Sequence, residues 1–375
     1  MPNWKIAVIV ATSTLVVACG GQAEGEHDQP DNDNDGTNTN VVDNDDNNDP
    51  ANNDSGNEDP GNNDSVPETL SENYPHDEGI ADDPAVVWHE DFEQDSIDEL
   101  ADRYDQTRTD GMSFSSDPPP LSSGSQSVMM AAGGDDYGSA TDLYTRLPDP
   151  EVGYDQLYLR YYFRHHEDSN YHHTRANLGG YNPPTAWPQG GAGARPDGDD
   201  RLSVTVEPLT DGPERRKDFY NYWMNMRSWE EGNPPDGSAY GNTLIHDTSF
   251  VATDGQWHCL EVMGRLNDDP DSAAGGELAV WLDDELIQQF DEDGPLGFWI
   301  RDSFCPAGAD SSTCVDYAPP EDELEQEIVN LQMRNDPDLA LNYLMIQNYV
   351  TSGTGVVEYD DLVVATERIG CQVSE

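Results

Sequence analysis

Two stretches near the middle of the chain alternate between inward and outward positions and predict a β-hairpin. Residues 257–266 and 277–282 each show a period of two, which is typical of half-buried strands. The acidic, glycine-rich segment between them predicts a loop, and Asp283-Asp284 predicts a tight turn into a further strand. Trp281 falls on the outward face. The predicted inward residues are His258, Leu260, Val262, Leu266, Leu278, Val280 and Leu282.

Similar short segments, separated by turn residues, recur from residue 85 to the end of the chain. Further strands are predicted at 86–93, 124–132, 140–147, 157–166, 201–207, 219–227, 340–350 and 356–365. Residues 320–330 form the one clear helix candidate, with acidic residues in the first turn, where they suit the helix dipole. This density of strands predicts an all-β antiparallel sandwich over residues 85–375, which is long enough for one large core.

The strand at 157–166 carries polar and aromatic residues on the face opposite its apolar one. Its inward residues are Leu157, Leu159, Tyr161 and Phe163, and its outward residues are Tyr158, Arg160, Tyr162, Arg164 and His166. Arginine binds carboxylates with two parallel hydrogen bonds, so this face could line a ligand groove. In that reading Arg160, Tyr162 and Arg164 contact the ligand, and His166 is a candidate catalytic residue. Ion pairs with surface carboxylates are the alternative, and the pattern leaves both open.

The first 19 residues have the layout of an export signal. Lys5 precedes an apolar run, and Val16-Val17-Ala18-Cys19 resembles a bacterial lipobox. That resemblance implies cleavage before Cys19, lipidation of Cys19 and anchoring to a membrane through acyl chains alone. By resemblance to the enteric lipoprotein sorting rule, Gly20 instead of Asp after the cysteine favours the outer membrane or cell surface. A plain signal peptide or a short membrane anchor is the alternative.

Residues 20–84 differ in composition from the rest of the chain. From Gln22 to about Pro84 they are rich in Asp, Asn, Gly, Pro and Ser and contain no Lys or Arg. Such a segment has too little apolar surface to offset the entropy of ordering, so it predicts a disordered, self-repelling tether. The net charge of the whole chain is −59, which argues against nucleic acid as a partner because phosphate binding needs clustered cations.

Four cysteines remain besides Cys19, and their even number in an exported protein predicts two disulfides. They are Cys259, Cys305, Cys314 and Cys371. Three pairings are possible. The pairing of Cys305 with Cys314 would close a short polar loop, and that of Cys259 with Cys371 would tie the central hairpin to the end of the last strand. Metal ligation is the rival interpretation, but no Cys-x-x-Cys spacing supports it.

Several landmarks together resemble the concanavalin A-like jelly-roll polysaccharide lyases of the alginate and glucuronan kind. They are Phe92-Glu93, the strand containing 159–162, the 257–283 hairpin with Trp257, Asn267 and Trp281, and the closing segment 359–364. The resemblance implies a jelly-roll fold and an acidic polysaccharide as the partner. It also implies β-elimination, in which a cation or amide neutralises a uronate carboxylate and a base, commonly a tyrosine, removes the C5 proton.

The resemblance assigns catalytic and substrate-binding roles to a few residues. Tyr220-Asn221-Tyr222 matches the family's Tyr-x-Tyr strand, with Tyr222 catalytic and Tyr220 binding substrate, and Arg175 stands where the family's groove cation is a lysine. Arg201 lies on the preceding strand. Alternation alone instead favours the tyrosines as core residues, because Asn221 and Asn225 would otherwise be buried at a cost. The strand at 340–350 would present Tyr343, Met345, Gln347 and Tyr349 to the groove, with Gln347 and Tyr349 as sugar contacts.

The same resemblance implies a structural calcium ion held by Glu93 and Asp361, with backbone oxygens completing its shell. A retaining glycoside hydrolase is disfavoured, since no strand carries the closely spaced carboxylates that such an enzyme needs. Two other functions stay open. The domain could bind glycans without cleaving them, or it could serve as a structural or adhesive surface protein with no sugar ligand.

Overall fold

The computed structural model describes most of the chain from residue 69 onward. The described residues are 69–133, 140–167, 169–209, 214–226, 240–241, 243–245, 249–273, 275–291, 296–300, 303–307 and 326–374. The predicted signal, Cys19, most of the predicted tether and Cys314 lie outside them. Within these residues the structure contains no helix of the length and apolar character that a membrane span requires.

Short strands account for most of the regular structure. The strands are β1 Val86–Glu90, β2 Gln106–Arg108, β3 Met112–Ser115, β4 Ser127–Gly133, β5 Thr141–Arg146, β6 Gln156–His165, β7 His173–Tyr181, β8 Arg201–Pro208, β9 Glu214–Phe219, β10 Val251–Thr253, β11 His258–Arg265, β12 Glu277–Leu282, β13 Glu285–Phe290, β14 Gly297–Ile300, β15 Ser303–Pro306, β16 Gln326–Ile328, β17 Tyr343–Tyr349 and β18 Thr354–Ala365. The helices are α1 Leu70–Asn73 and α2 Ile97–Ala101, with 3₁₀ turns at Pro75–Asp77 and Ile80–Asp82.

Two large antiparallel sheets face each other across one apolar core. The first sheet has the order β13-β12-β11-β6-β18-β4-β3, with β1 paired to β18. The second has the order β10-β9-β8-β7-β17-β5-β2, and β15-β14-β16 form a small third sheet. The all-β, antiparallel jelly-roll sandwich predicted from the sequence is confirmed.

The central hairpin forms as its alternation predicts. Strands β11 and β12 pair so that Leu260 is opposite Leu282 and Val262 is opposite Val280, and all four are buried. Trp281 lies on the outer face, where the Arg368 guanidinium sits 4.8 Å from its ring centroid. The adjacent strand β6 places its predicted inward residues in the same core. Local period-two patterning therefore located the centre of the first sheet correctly.

The folded domain begins earlier in the chain than its composition predicts. Residues 69–84 were predicted to belong to the disordered tether, but they form α1 and the two 3₁₀ turns. Leu70 and Ile80 are buried against Val363 and Ile369 at the outer side of the first sheet. These two apolar side chains, isolated within a polar run, anchor the segment, and the average composition of the run hides them.

Two predicted elements are wrong in type or position. A strand is predicted at 219–227, but the observed strand β9 covers Glu214–Phe219, which includes the basic stretch predicted as a loop. The described residues after it, 220–226, are irregular. The predicted helix at 320–330 is contradicted where it is described, since 326–328 form β16 and pair with β14. At residues 326–328, pairing with β14 prevails over the local helical signals.

One predicted disulfide is confirmed. Cys259 on β11 is bonded to Cys371 in the C-terminal tail, with a separation of 112 residues, and so ties the tail to the first sheet. Cys305 on β15 is also disulfide-bonded. Its predicted partner, Cys314, lies outside the described residues, so that pairing stays a prediction.

Candidate functional site: a groove on the second sheet

A cavity of about 410 Å³ lies on the outer face of the second sheet. Strands β2, β7, β8 and β17 form its floor, the 188–192 part of the loop between β7 and β8 forms one wall, and the segment after β9 contributes to the lining. Arg108, Arg175 and Arg201 all line it, whereas none of the described lining residues is Asp or Glu. In a chain with 76 acidic residues and 17 Lys and Arg, this lining is a local reversal of charge.

Buried carboxylates beside the lining hold two of the groove arginines in place. Glu207 is only 2% exposed and forms an ion pair with Arg175. The same carboxylate lies 3.0 Å from His173 Nδ1, and Asp142 pairs with Arg108 in a similar way. Burial, with a smaller contribution from Arg175, lowers the pKa of His173 to about 3. His173 is therefore neutral at ordinary pH, and the arginines carry the positive charge of the groove.

Tyr220 and Tyr222 both line the groove, which corrects the core placement that alternation favoured. Tyr222 makes an isolated bridge to Ser203 on β8, with main-chain hydrogen bonds of 3.0 and 3.3 Å. Asn221 between them is fully buried and accepts a hydrogen bond of 2.7 Å from the backbone N–H of Thr205. A backbone donor that no local pattern could reveal thus satisfies the side-chain oxygen of Asn221 and offsets part of the predicted cost, while its Nδ2 has no hydrogen-bond partner.

The two tyrosines differ in their readiness to lose a proton. Burial raises the pKa of both hydroxyls. The interaction between the two neighbouring hydroxyls raises the pKa of Tyr220 further and lowers that of Tyr222. Arg175 and Arg201 also lower the pKa of Tyr222, and the Arg201 guanidinium carbon lies 5.8 Å from its ring centroid. Of the pair, Tyr222 is the better proton acceptor.

The remaining predicted groove residues fall into two groups. Arg175, Arg201 and Gln347 line the cavity together with Tyr220 and Tyr222. Tyr349 does not line it; its ring stacks 5.9 Å from that of His173, on the same face of β17 but outside the lining. The sequence interpretation missed Arg108, His173 and Asn177 as lining residues. His173, Arg175 and Asn177 share one face of β7, so alternation around Arg175 contained the signal for two of them.

The outer face of β6 is not part of the groove, which corrects the ligand-binding interpretation of Arg160, Tyr162, Arg164 and His166. It belongs to the first sheet, on the opposite side of the sandwich. Arg160 is fully buried under residues 69–83 and pairs with Asp77 at 2.6 Å.

The other three residues of this face are also engaged within the fold. The hydroxyl of Tyr162 accepts a hydrogen bond of 2.8 Å from the backbone of Gln372 in the C-terminal tail. Arg164 and His166 both contact Glu358, at 2.9 and 2.5 Å. The alternative of internal ion pairing therefore describes this face.

The two predicted calcium ligands, Glu93 and Asp361, differ in exposure. Glu93 is exposed, and its carboxylate accepts hydrogen bonds of 2.7 and 2.8 Å from the backbone of Ser125 and Gln126. Asp360 and Asp361 are buried at a bulge in β18, and each has an Oδ2 atom without a hydrogen-bond partner. No group of three or more His, Cys, Asp or Glu that could hold a metal ion occurs among the described residues. The two orphaned oxygens nevertheless suit a hard cation.

The chain resembles known proteins in structure but matches none in sequence. No family model and no curated protein matches it. Similar solved structures include a marine PL-14 alginate lyase from Aplysia kurodai, at 15% identity and a TM-score of 0.48, covering 75% of this chain and 99% of that one. Alginate lyase vAL-1 from Chlorella virus is similar at 9% identity and a TM-score of 0.45, with coverages of 75% and 99%.

A third neighbour is an endo-β-1,4-glucuronan lyase from the fungus Trichoderma reesei. It is 11% identical, has a TM-score of 0.37, and the match covers 75% of this chain and 95% of that one. These three neighbours of the chain are alginate and glucuronan lyases. The activities in those names belong to those proteins, and the groove of this chain is interpreted below from its own residues.

Proposed function

We propose that the groove on the second sheet binds an acidic, uronate-containing polysaccharide. The observation that carries this proposal is the lining, which combines Arg108, Arg175 and Arg201 and contains no carboxylate among its described residues, in a strongly acidic chain. Arginine recognises carboxylates by paired hydrogen bonds, and the half-buried rings of Tyr220 and Tyr222 offer apolar surface for sugar faces.

Affinity electrophoresis tests this binding. The purified protein should be retarded in gels containing alginate, glucuronan or pectate and should migrate freely in gels containing a neutral glucan. Retardation should weaken as salt is added, because the contact is between exposed charges. Equal retardation by neutral and acidic polysaccharides, or none by either, would contradict the proposal and leave a structural or adhesive surface role as the better account.

A sharper candidate function is cleavage of the bound chain by β-elimination, which the position of Tyr222 in the groove beside Tyr220, Arg175 and Arg201 favours. A uronate carboxylate would be neutralised by Arg175 or by the amide of Asn177 or Gln347. Tyr222, as phenolate, would take the C5 proton; the electron pair of the C5–H bond forms the C4–C5 double bond, and the C4–O bond breaks. The departing oxygen is protonated by Tyr220 or solvent, which completes the cleavage.

The formation of unsaturated uronate can be followed by its ultraviolet absorbance. The expected result is a rising signal that Tyr222→Phe abolishes without loss of gel retardation. Tyr349→Phe, which changes a tyrosine outside the cavity lining, is the matched control and should retain the signal. A flat trace for the wild-type protein, together with retardation, would make the groove a binding site without catalysis. Burial of Tyr222 and pairing of Arg175 with Glu207 are the features that favour this outcome.

Two further assignments complete the proposal. Cys19 would carry the lipid that anchors the protein in the outer membrane or at the cell surface, with the acidic segment as a spacer. Labelled fatty acid should be incorporated by the wild-type protein and not by Cys19→Ser. Asp360 and Asp361, with Glu93, would hold a structural calcium ion whose charge stabilises these neighbouring carboxylates.

A further inference from the structure

We propose that Trp187 is the stacking platform of a distal sugar subsite at the rim of the groove, filled only by longer oligosaccharides. This inference rests on the proposed binding function and adds a residue that contributes no charge. The ligand chemistry is the apolar C–H face of a pyranose ring, whatever its carboxylate content.

The exposure of Trp187 is unusual within the described residues. Its side chain is 57% exposed, although tryptophan normally buries most of its large apolar surface. Five large hydrophobic residues are exposed in the described part of the chain, and two of them are aromatic, Trp187 and Tyr240. Trp187 directly precedes the wall residues 188–192, and Tyr240 directly precedes Gly241, whose backbone packs against the Tyr220 ring. Both exposed aromatic residues thus flank the groove.

The backbone around Trp187 is held by residues of the groove and the adjoining strands. The Thr185 hydroxyl donates to the carbonyl of Trp187 at 2.7 Å, and the Tyr144 hydroxyl donates to the carbonyl of Thr185 at 2.8 Å. The backbone N–H of Gln189 donates to the Tyr181 hydroxyl at 3.0 Å. A platform whose position is fixed before the ligand arrives loses little entropy on binding.

The anchor of the loop places Trp187 to one side of the tyrosine pair. Thr185, two residues before Trp187, is held by Tyr144 on β5, whereas Tyr220 hydrogen-bonds to Thr205 on β8. Strands β7 and β17 lie between β8 and β5, so three inter-strand spacings, about 14 Å, separate the two strands. A ligand unit at Trp187 is therefore displaced from one held between the arginines and Tyr220, and a short oligosaccharide would not span both positions.

Calorimetric titration with uronate oligosaccharides from disaccharide to octasaccharide tests the subsite. In wild-type protein the affinity should rise with length, and Trp187→Ala should remove that rise, weakening the longest ligand about five- to tenfold and leaving the shortest unchanged. Trp187→Phe should fall between the two. The matched control is Leu286→Ala, a truncation of another exposed apolar side chain on β13 of the first sheet, which should behave as wild type.

The outcomes separate this inference from the proposed function. Equal weakening of all lengths by Trp187→Ala, or no weakening of any, would overturn the distal subsite while leaving the groove as a binding site. No binding by the wild-type protein at any length would overturn both. Because Trp187 is exposed and its main-chain contacts do not involve its ring, the variant should melt with the wild type, which a thermal scan checks.

Discussion

The two outer faces of the sandwich carry similar residues in different surroundings. On the first sheet, β6 presents Arg160, Tyr162 and Arg164; on the second, the groove presents Arg175 and Arg201 beside its own tyrosines. Arg160 and Tyr162 are covered by the 69–83 segment and the C-terminal tail, and Arg164 pairs with Asp117 and Glu358. The second set also pairs with carboxylates, but it borders a cavity whose described lining holds none.

The two faces differ in the position of the counter-charge and not in the presence of arginine. Asp77 reaches Arg160 on its outer side and closes that face. Glu207 reaches Arg175 from β8 beside it and is itself nearly inaccessible, so the carboxylate orients the guanidinium without occupying the cavity. The predictions below would break or sharpen this comparison.

The largest expected effect is a loss of stability from a change on the outer face of the first sheet. Arg160→Ala would leave Asp77 buried and unpaired and should lower the free energy of unfolding by about 3–5 kcal/mol, since the remaining charge has lost its partner. Urea unfolding measures it. Arg146→Ala, which breaks the exposed pair with Asp105, is the control and should cost no more than about 1 kcal/mol.

Two results would contradict this account of the outer face of the first sheet. If Arg160→Ala unfolded at the wild-type urea concentration, the buried pair would not hold the face closed. If it weakened gel retardation as strongly as a groove variant, the face would belong to the binding site. Should Arg160→Ala fail to fold, the double variant Asp77→Asn with Arg160→Met should restore folding, because both charges are then gone.

The two faces should also lose stability over different pH ranges. The pKa of His173 in the folded groove, about 3, lies below its unfolded value of about 6.5, so the unfolded state binds the proton first and stability falls as the pH drops from about 6.5 to 3. Burial alone would raise the pKa of Glu358, but His166 and Arg164 lower it to about 2. Its contribution is present above about pH 4.5 and is lost as the pH falls towards 2.

Unfolding measured at successive pH values separates these contributions. His173→Gln should flatten the stability profile above pH 4.5, by at most about 1.4 kcal/mol per pH unit, and Glu358→Gln should flatten it only below that value. Unchanged slopes in both variants would mean that neither group is linked to folding as the geometry indicates. Loss of the upper slope in Glu358→Gln instead would reverse the assignment of the two faces.

Short-range alternation of apolar and polar residues correctly predicted part of the fold. The β11–β12 hairpin and the inward side chains of β6 follow from a period of two, and both are confirmed. The register of Tyr220 and Tyr222 could not be obtained in this way, because the donor that satisfies Asn221 lies on β8. The burial of Arg160 could not be predicted either, because its partner Asp77 lies in a segment whose average composition predicts a tether.

Calcium should act on the first sheet alone. If Asp360 and Asp361 hold the ion, calcium at about a hundred times its dissociation constant should stabilise the protein by about 2.7 kcal/mol, and a chelator should remove that gain. Asp361→Asn should abolish the response to calcium in a thermal scan and leave polysaccharide binding unchanged. A melting curve that neither calcium nor chelator moves would argue against the site.

The smallest effect concerns the groove. Arg201→Ala should reduce the affinity for an acidic oligosaccharide about tenfold, or about 1.4 kcal/mol, with little change in stability, since Arg201 is half-buried and its partner Asp200 lies 3.5 Å away. Arg103→Ala removes a partly exposed arginine that packs on Trp88, on the other side of the sandwich, and is the control for binding. Equal affinity in the two variants would mean that the groove holds its ligand without Arg201. A larger loss in Arg103→Ala would move the binding face to the first sheet, because the lost charge would then be the one that meets the polysaccharide.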